Sequence, residues 1–503
     1  MNRRHRSEAW ILAGLCVLAF VGFSLFSIVR HERLNSSGID LAIFDQVAWN
    51  TAQGRWFASS ISQPIHLADH FSPIILLYSQ LYHIWSDVRV LLLLQAFALA
   101  IGVFPVAWMA QKAIQRPGAG LLFALLYLLY PSIGFMNRFD FHEAVLAVPL
   151  LLFALYFLTE DRLIPASFLL GLALLVKEDV GLTVAAIGVY AALVRRKRAF
   201  GWAWAGVGLG WSLLATLVFV PHFARGAAEH WQRYAWLGLT PAAMLKTLLT
   251  RPLYVLRHQL ARRTGVLYPF KILLPLAFTP LLAPEALLMA APAFVYNWLS
   301  SLLLQSTLYY QYMALIVPAV LFAGILAVKR LLGWLETRVG KLTWPLIAAT
   351  LLACSLVAFA LENPFSKPLR RPLPPVYTWE TKPNVAEFRE ASHLIPPDAS
   401  LEASMAYAAH FSHRQQMYVT EWIVPRLLPP GGKTEYIFLD LRDYRWSNTG
   451  KRALDALDQG YGVRYFQNGV LLLEAAHLAS AEDRAQVERY VAAVTSGQVS
   501  SYH

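Results

Sequence analysis

"AWILAGLCVLAFVGFSLFSIVRHERLNSSGIDLAIFDQVAWNTAQGRWF" (Ala9 to Phe57) couples an apolar run to a segment in which Asp40 and Asp45 alternate with aromatic residues. The apolar part, up to Val29, is long enough as a helix to cross about 30 Å of hydrocarbon. It lacks an obvious small-residue cleavage site, so it reads as a retained helix and not as a removed signal peptide.

The rest of the chain repeats this pattern. Of 503 residues, 57% are hydrophobic and 15% charged, and the mean hydropathy is +0.45, which excludes a purely water-soluble protein. Apolar runs predict about eleven spans, at 9–29, 89–111, 119–136, 144–159, 163–177, 180–194, 200–221, 266–283, 286–304, 309–328 and 342–361. Basic residues in the short connections (Arg3 to Arg6, Lys112 and Arg116, Arg195 to Arg198, Lys329 to Lys341) all fall on one side if the amino terminus is cytoplasmic. The fold expected is therefore an all-α polytopic membrane domain over 1–361, with an external loop at 30–88 and an extracytoplasmic α/β domain over 362–503.

Composition changes where that soluble domain is expected. "ENPFSKPLRRPLPPVY" (Glu362 to Tyr377) is a proline-rich exit. Beyond it, "NVAEFREASHLI" has helical periodicity, "SLEAS", "QMYV" and "EYIFLDL" read as short strands, a helix is expected near Ala453, and "VRYFQNGVLLLE" is a hairpin turning on Asn468 and Gly469. No glycine-rich phosphate fingerprint is present. From Asn363 onward 15 basic residues balance 15 acidic ones, so the formal charge of +12 belongs to the preceding residues.

Most of that excess is the ordinary basic signature of cytoplasmic connections. One segment differs. His222 to Gly265 should lie outside, yet it carries Arg225, Arg233, Lys246, Arg251, Arg257, Arg262 and Arg263 against Glu229 alone. Either the side assignment fails there, or these guanidinium groups capture a phosphate at the bilayer surface. Cys16 and Cys354 lie within spans and have no metal-binding spacing.

The acids and histidines gather in four outer connections. Asp40 and Asp45 follow the first span; "HLADH" holds His66, Asp69 and His70; "FDFHEA" holds Asp140, His142 and Glu143; "KED" is Lys177, Glu178 and Asp179. Asp40 reads equally well as the cap of an amphipathic surface helix, "LAIFDQVAWNTA", with Asp45 on its wet face. His66 and His70 stand four apart, but Leu67 occupies the place of the glutamate of a zinc-protease helix. Asp140, His142 and Glu143 offer mixed oxygen and imidazole ligands for a divalent ion, magnesium or manganese. Tyr309, Tyr310 and Tyr312 read as an interfacial aromatic belt.

An acidic first outer loop, a second acidic motif, a basic outer segment and a terminal soluble domain together resemble the GT-C superfamily of membrane glycosyltransferases. More narrowly, "GIDLAIFDQVAWNTAQGRWF", "HLADHFSPIILL", "FDFHEAVLAVPLLLFALY", "LLVKEDVGL" and "YYQYMALIVPA" resemble the predicted membrane protein family called domain of unknown function 2079. The GT-C resemblance implies inverting transfer of a sugar from a polyprenyl-phosphate donor to an acceptor on the outer face of the cell membrane. It also implies an acidic group in the first outer loop that acts on the acceptor, most naturally Asp40 and next Asp45. The acidic pair usual in that superfamily is absent, since Leu41 follows Asp40.

The chemistry requires the same groups on its own account. A carboxylate within hydrogen-bond reach lowers the barrier to deprotonating a hydroxyl acceptor. Lys177, Arg257, Arg262 and Arg263 are candidates to meet the departing phosphate, with a divalent ion on Asp140, His142 or Glu143 as another route. His66, His70, Glu178 and Asp179 are supporting polar groups. The partners expected are the lipid-linked sugar, an unidentified acceptor and the bilayer, and no nucleic acid. A lipid or sugar transporter or flippase should bury charge at mid-membrane and show two related halves; neither is seen. A hydrolase of lipid-linked phosphates shares nearly every feature.

Overall fold

The computed structural model describes residues 3–36, 38–224, 229–366, 381–422, 428, 432–443 and 449–499. Arg225, and the proline-rich exit from residue 367 onward, lie outside the described residues. The chain forms two compact units. One comprises Met1–Ser24, His70–Ile74 and Leu93–Arg370, the other Leu25–Asp69, Ile75–Leu92 and Arg371–His503.

The first unit is helical. Helices Val180–Leu193 and Arg198–Leu214 form its closest pair. Their small residues face each other: a Cβ on Gly188 would sit 2.4 Å from the Ala205 amide nitrogen, and one on Gly201 2.3 Å from that of Ala192. Backbones meet this closely only where side chains are absent, which is how apolar helices associate when water supplies no driving force.

Among the described residues four helices are long and apolar enough to cross a membrane: Ser7–Glu32, Arg89–Ile114, Arg198–Ala224 and Val317–Glu362. A fifth is added if Ala119–Leu129 and Pro131–Arg138, bent by 48°, count as one span. Pro131 accounts for that bend, because proline withdraws an amide donor and crowds the preceding turn. The run at 266–283 is likewise interrupted: helix Arg263–Leu273 ends in short 3-10 turns, with Ala277 and Phe278 in the left-handed region at φ +50° and +58°. The sequence count of about eleven therefore rests on hydropathy and not on helix length.

The second unit contains a mixed sheet of five strands: β1 (Leu401–Ala403), β2 (Met417–Val419), β3 (Tyr436–Asp440), β4 (Gly462–Gln467) and β5 (Val470–Glu474). Their order is β2-β1-β3-β5-β4. β1 runs parallel to β2 and β3, while β5 runs antiparallel to β3 and β4. Alternation along β3 divides two cores. Ile437 and Leu439 pack with Ala453, Leu457 and Val487 from helices Thr449–Asp458 and Ala481–Thr495. Phe438 points the other way, its ring centroid 4.9 Å from that of Tyr407 and 5.6 Å from those of Phe388 and Phe411. That aromatic layer fixes the segment from Met405 to Arg414.

Asn468 and Gly469 turn the β4–β5 hairpin at φ +48° and +82°, as a two-residue I′ turn requires. A Cβ at Gly469 would meet the Tyr490 hydroxyl at 2.8 Å and Arg442 Cγ at 3.0 Å. Gly469→Val is therefore expected to cost about 1–3 kcal/mol in thermal unfolding, from left-handed strain and this crowding. An unchanged melting temperature would contradict the turn.

Candidate functional site

Helix Leu41–Ala52 is the helix expected from the sequence, but it does not lie on a surface. Ten of its twelve residues are buried, Asp45 and Gln46 among them. Gln46 explains how polar groups survive there. Its amide nitrogen donates to Ser60 Oγ at 2.8 Å and to the Arg414 carbonyl at 2.9 Å, while its oxygen accepts from Ser59 Oγ and the Ser60 amide at 2.9 Å each. Every hydrogen-bonding position of the side chain is satisfied, which locks the register of the helix against residues 405–417.

One residue earlier, Asp45 is 0% exposed. Tyr82 donates to its Oδ1 and Ser412 to its Oδ2, each at 2.5 Å. His413 Nε2 lies 3.2 Å and 3.1 Å from the two oxygens. Burial, then the charge and hydrogen bond of Asp45, push the Tyr82 phenol well above its usual range, so it stays a donor. Burial lowers the affinity of His413 for a proton, but the charge of Asp45, its hydrogen bond and the charge of Asp87 outweigh that and raise its pKa. The His413 ring stacks on Trp49, with centroids 5.7 Å apart and planes 13° apart.

A cavity of about 230 Å³ opens beside these groups, lined by His31, Asp45, Asp87, Arg89, His410 and His413 among others. It is smaller than sites that enclose drug-sized ligands, and suits one compact polar group. Arg89 grips Asp87 with a two-pronged fork, Nε to Oδ1 at 2.8 Å and Nη2 to Oδ2 at 2.5 Å. His31 and His410 stack 3.9 Å apart.

Asp40 precedes the helix at the N-cap position, half-buried, without a side-chain capping bond, and is not among the residues lining the cavity. Phe44 is buried edge-on against His66, 5.3 Å between centroids. His66 opens the 3-10 turn His66–Ala68; His70 lies beyond it, so the two histidines share no helix face.

A second polar cluster forms within the first unit. His70 Nδ1 lies 3.0 Å from Glu178 Oε1, and the Phe71 amide donates to Glu178 Oε2 at 3.0 Å. Ser72 donates to Glu143 at 3.3 Å, His142 Nδ1 stands 2.8 Å from Glu143, and Tyr296 donates to Asp179 at 2.7 Å. Lys177 is 8% exposed. Burial would lower its pKa, but the charges of Asp179, Glu178 and Glu143 raise it above the ordinary lysine value. Burial likewise pushes Glu178 up, and the charge and hydrogen bond of His70, with Lys177, override it and hold the carboxyl down at about 2.

The ion-binding set does not assemble. Glu143 is engaged by Ser72 and His142, Asp140 sits in the left-handed region at φ +58°, and the Asp140 carbonyl accepts from Gln95. Among the described residues no group of three His, Cys, Asp or Glu is placed to hold a metal ion. The arginines are separated in role. Arg257 and Arg263 are exposed, whereas Arg262 is half-buried and donates to the Ser300 carbonyl at 3.0 Å and to Gln259 at 3.1 Å.

Tyr82, Ser412 and His413 are not legible in the sequence as partners of Asp45. "HFSHR" (His410 to Arg414) is the one local signal, two histidines and an arginine in five residues, and nothing in it points back to residue 45.

A family model described as "Predicted membrane protein (DUF2079)" matches residues 30–472. No curated protein matches the chain in sequence. The fold is similar to that of ArnT from Cupriavidus metallidurans bound to undecaprenyl phosphate, with a TM-score of 0.52 and 14% identity over 92% of this chain and 99% of that one. The apo state of ArnT gives a TM-score of 0.51 and 14% identity over 94% and 99%. At that identity the likeness is one of fold, and it agrees with the GT-C resemblance in the sequence.

Proposed function

The chain belongs to the predicted membrane protein family DUF2079, and from that premise we propose that it is a membrane glycosyltransferase moving a sugar from a polyprenyl-phosphate donor to a hydroxyl acceptor. The observation that carries this reading is the ArnT-like fold, since one of the two ArnT structures holds undecaprenyl phosphate. In this reading the amino terminus is cytoplasmic and the residues after 362 lie on the outer face.

The cavity beside Asp45 supports it chemically. An acceptor hydroxyl must give up its proton as it attacks, and a buried anion at the cavity wall stabilises the positive charge that results. Asp45 takes precedence over Asp40 here because it lines the cavity. The exposed Arg257 and Arg263 are proposed to attract anionic lipid at the membrane surface.

The test is purified full-length protein in lipid nanodiscs with a panel of radiolabelled polyprenyl-phosphate sugars and a membrane extract. Label passing to an acceptor is the expected result. Release of free sugar with no glycosylated product would replace the transferase by a hydrolase.

A further inference from the structure

Asp45 cannot itself reach an acceptor: it is 0% exposed and both its oxygens already accept hydrogen bonds. Beside it on the cavity wall stands His413. Its side chain is 28% exposed, it lines the cavity, and it comes from the C-terminal segment, far in sequence from the outer loop that supplied the acids.

We propose that the His413 imidazole is the group that takes the acceptor's proton, and that Asp45 is its positioning residue. The inference rests on the transferase reading and adds to it the identity of the base.

Geometry decides which nitrogen does the work. Nε2 faces the carboxylate at 3.1 to 3.2 Å, so Nε2 bears the hydrogen and donates it. That tautomer leaves a lone pair on Nδ1, and among the described residues no hydrogen bond engages that atom. The Trp49 stack on one side and the Tyr82 ring, 5.6 Å away, fix the plane of the imidazole. The other titratable groups of the cavity are held by partners or are weaker bases: His410, whose Nε2 has no hydrogen-bond partner among the described residues, is packed against the rings of His31 and Phe388, and burial lowers its proton affinity well below that of free histidine. Asp87 is forked by Arg89, Glu32 stands 3.5 Å from Arg89 and 3.6 Å from Arg389, and His31 is held by Ser36 at 3.1 Å and covered by His410.

In the step itself the acceptor oxygen forms a bond to the anomeric carbon while the bond from that carbon to the phosphate oxygen breaks. The bonding pair leaves with the polyprenyl phosphate, and the acceptor's proton moves to Nδ1. Asp45 then faces an imidazolium, whose charge it offsets, and the proton returns to water. The charged and titratable groups around the ring are Asp45, Tyr82 and Asp87, with Glu32, Arg89, His31 and His410 along the rest of the cavity. The nearest carboxylates raise the proton affinity of His413, so it is a stronger base than free histidine and is silenced by protonation at a higher pH.

The experiment follows two readouts in the full-length protein, wild type against His413→Gln and Asp45→Asn. The first is the pH profile of label transfer. The second is the rate at which diethyl pyrocarbonate, which reacts with neutral imidazole, modifies His413, located by mass spectrometry. The wild type should lose activity in acid with a midpoint above about 6.5, the free-histidine value, and the modification rate should share that midpoint. His413→Gln should lower transfer by about 10²- to 10⁴-fold and remove the acid limb. In Asp45→Asn the modification midpoint should move to lower pH. Transfer within about threefold of wild type in His413→Gln, with the acid limb intact, overturns the assignment and leaves the transferase reading standing. Absence of transfer by wild type from every donor overturns that reading and the proton role with it, even where the modification midpoints report the coupling to Asp45.

Discussion

Asp45→Asn is expected to lower sugar transfer by about 10²- to 10⁴-fold and to destabilise the protein by about 1–3 kcal/mol. Tyr82, Ser412 and His413 all aim donors at the two oxygens. Asparagine keeps one oxygen and sets an amide N–H₂ against at least one of those donors. Tyr82 is 5% exposed, so its displaced hydroxyl is left unsatisfied at a cost of about 1–3 kcal/mol, whereas Ser412 keeps the Ala409 carbonyl, 3.2 Å away, as an acceptor. Two measurements separate these effects. Adding Tyr82→Phe to Asp45→Asn removes one conflicting donor and should recover part of the lost melting temperature without recovering transfer. Full activity and an unchanged melting temperature in the single variant would remove Asp45 from the site.

Lys177→Met should have the other large effect, a loss of about 3–5 kcal/mol, because it strips the cation from a buried group of acids. Glu143 is 0% exposed, and the charges of Glu143, Glu178 and Asp179 all act on Lys177. Without it those carboxylates stand against one another, relieved in part by His70 and His142. The pH dependence has a definite sign. In the wild type Glu178 is held down at about 2, so its contribution is complete above the unfolded value near 4.5 and fades as the pH falls towards 2. In the variant the acids take up protons at higher pH, which relieves their repulsion. The gap in melting temperature between the two proteins should therefore narrow on acidification from pH 8 to pH 5. A gap that stays constant, or a variant as stable as wild type at pH 8, would show that Lys177 does not neutralise this cluster.

What the sequence reveals about this molecule follows the range of the interactions involved. The β4–β5 hairpin is legible because its signals are local: alternation in the strands, and Asn468 with Gly469 at the turn. Helix Ala481–Thr495 carries an equally local signal, the reciprocal Ser480 and Asp483 capping box, beside a weak apolar stripe. Hydropathy finds the apolar runs but not their interruptions, which depend on Pro131 and on the left-handed backbone at Ala277 and Phe278. The candidate site is legible by half. Asp45 stands out as an acid beside a span, yet amphipathic patterning puts it on a wet face, whereas Ser412 and His413, 367 and 368 residues away, bury it. Such pairing is specified by the tertiary fold and leaves no periodic trace.

The second unit is assembled from three separated stretches of chain, between which His70–Ile74 belong to the first. The coding sequence is therefore indivisible at the apparent membrane boundary. A gene fragment beginning at residue 381 would encode a sheet and its helices with Ser412 and His413 stripped of their carboxylate partner, and with the Arg414 and Met417 hydrogen bonds to Gln46 and Ser60 left open.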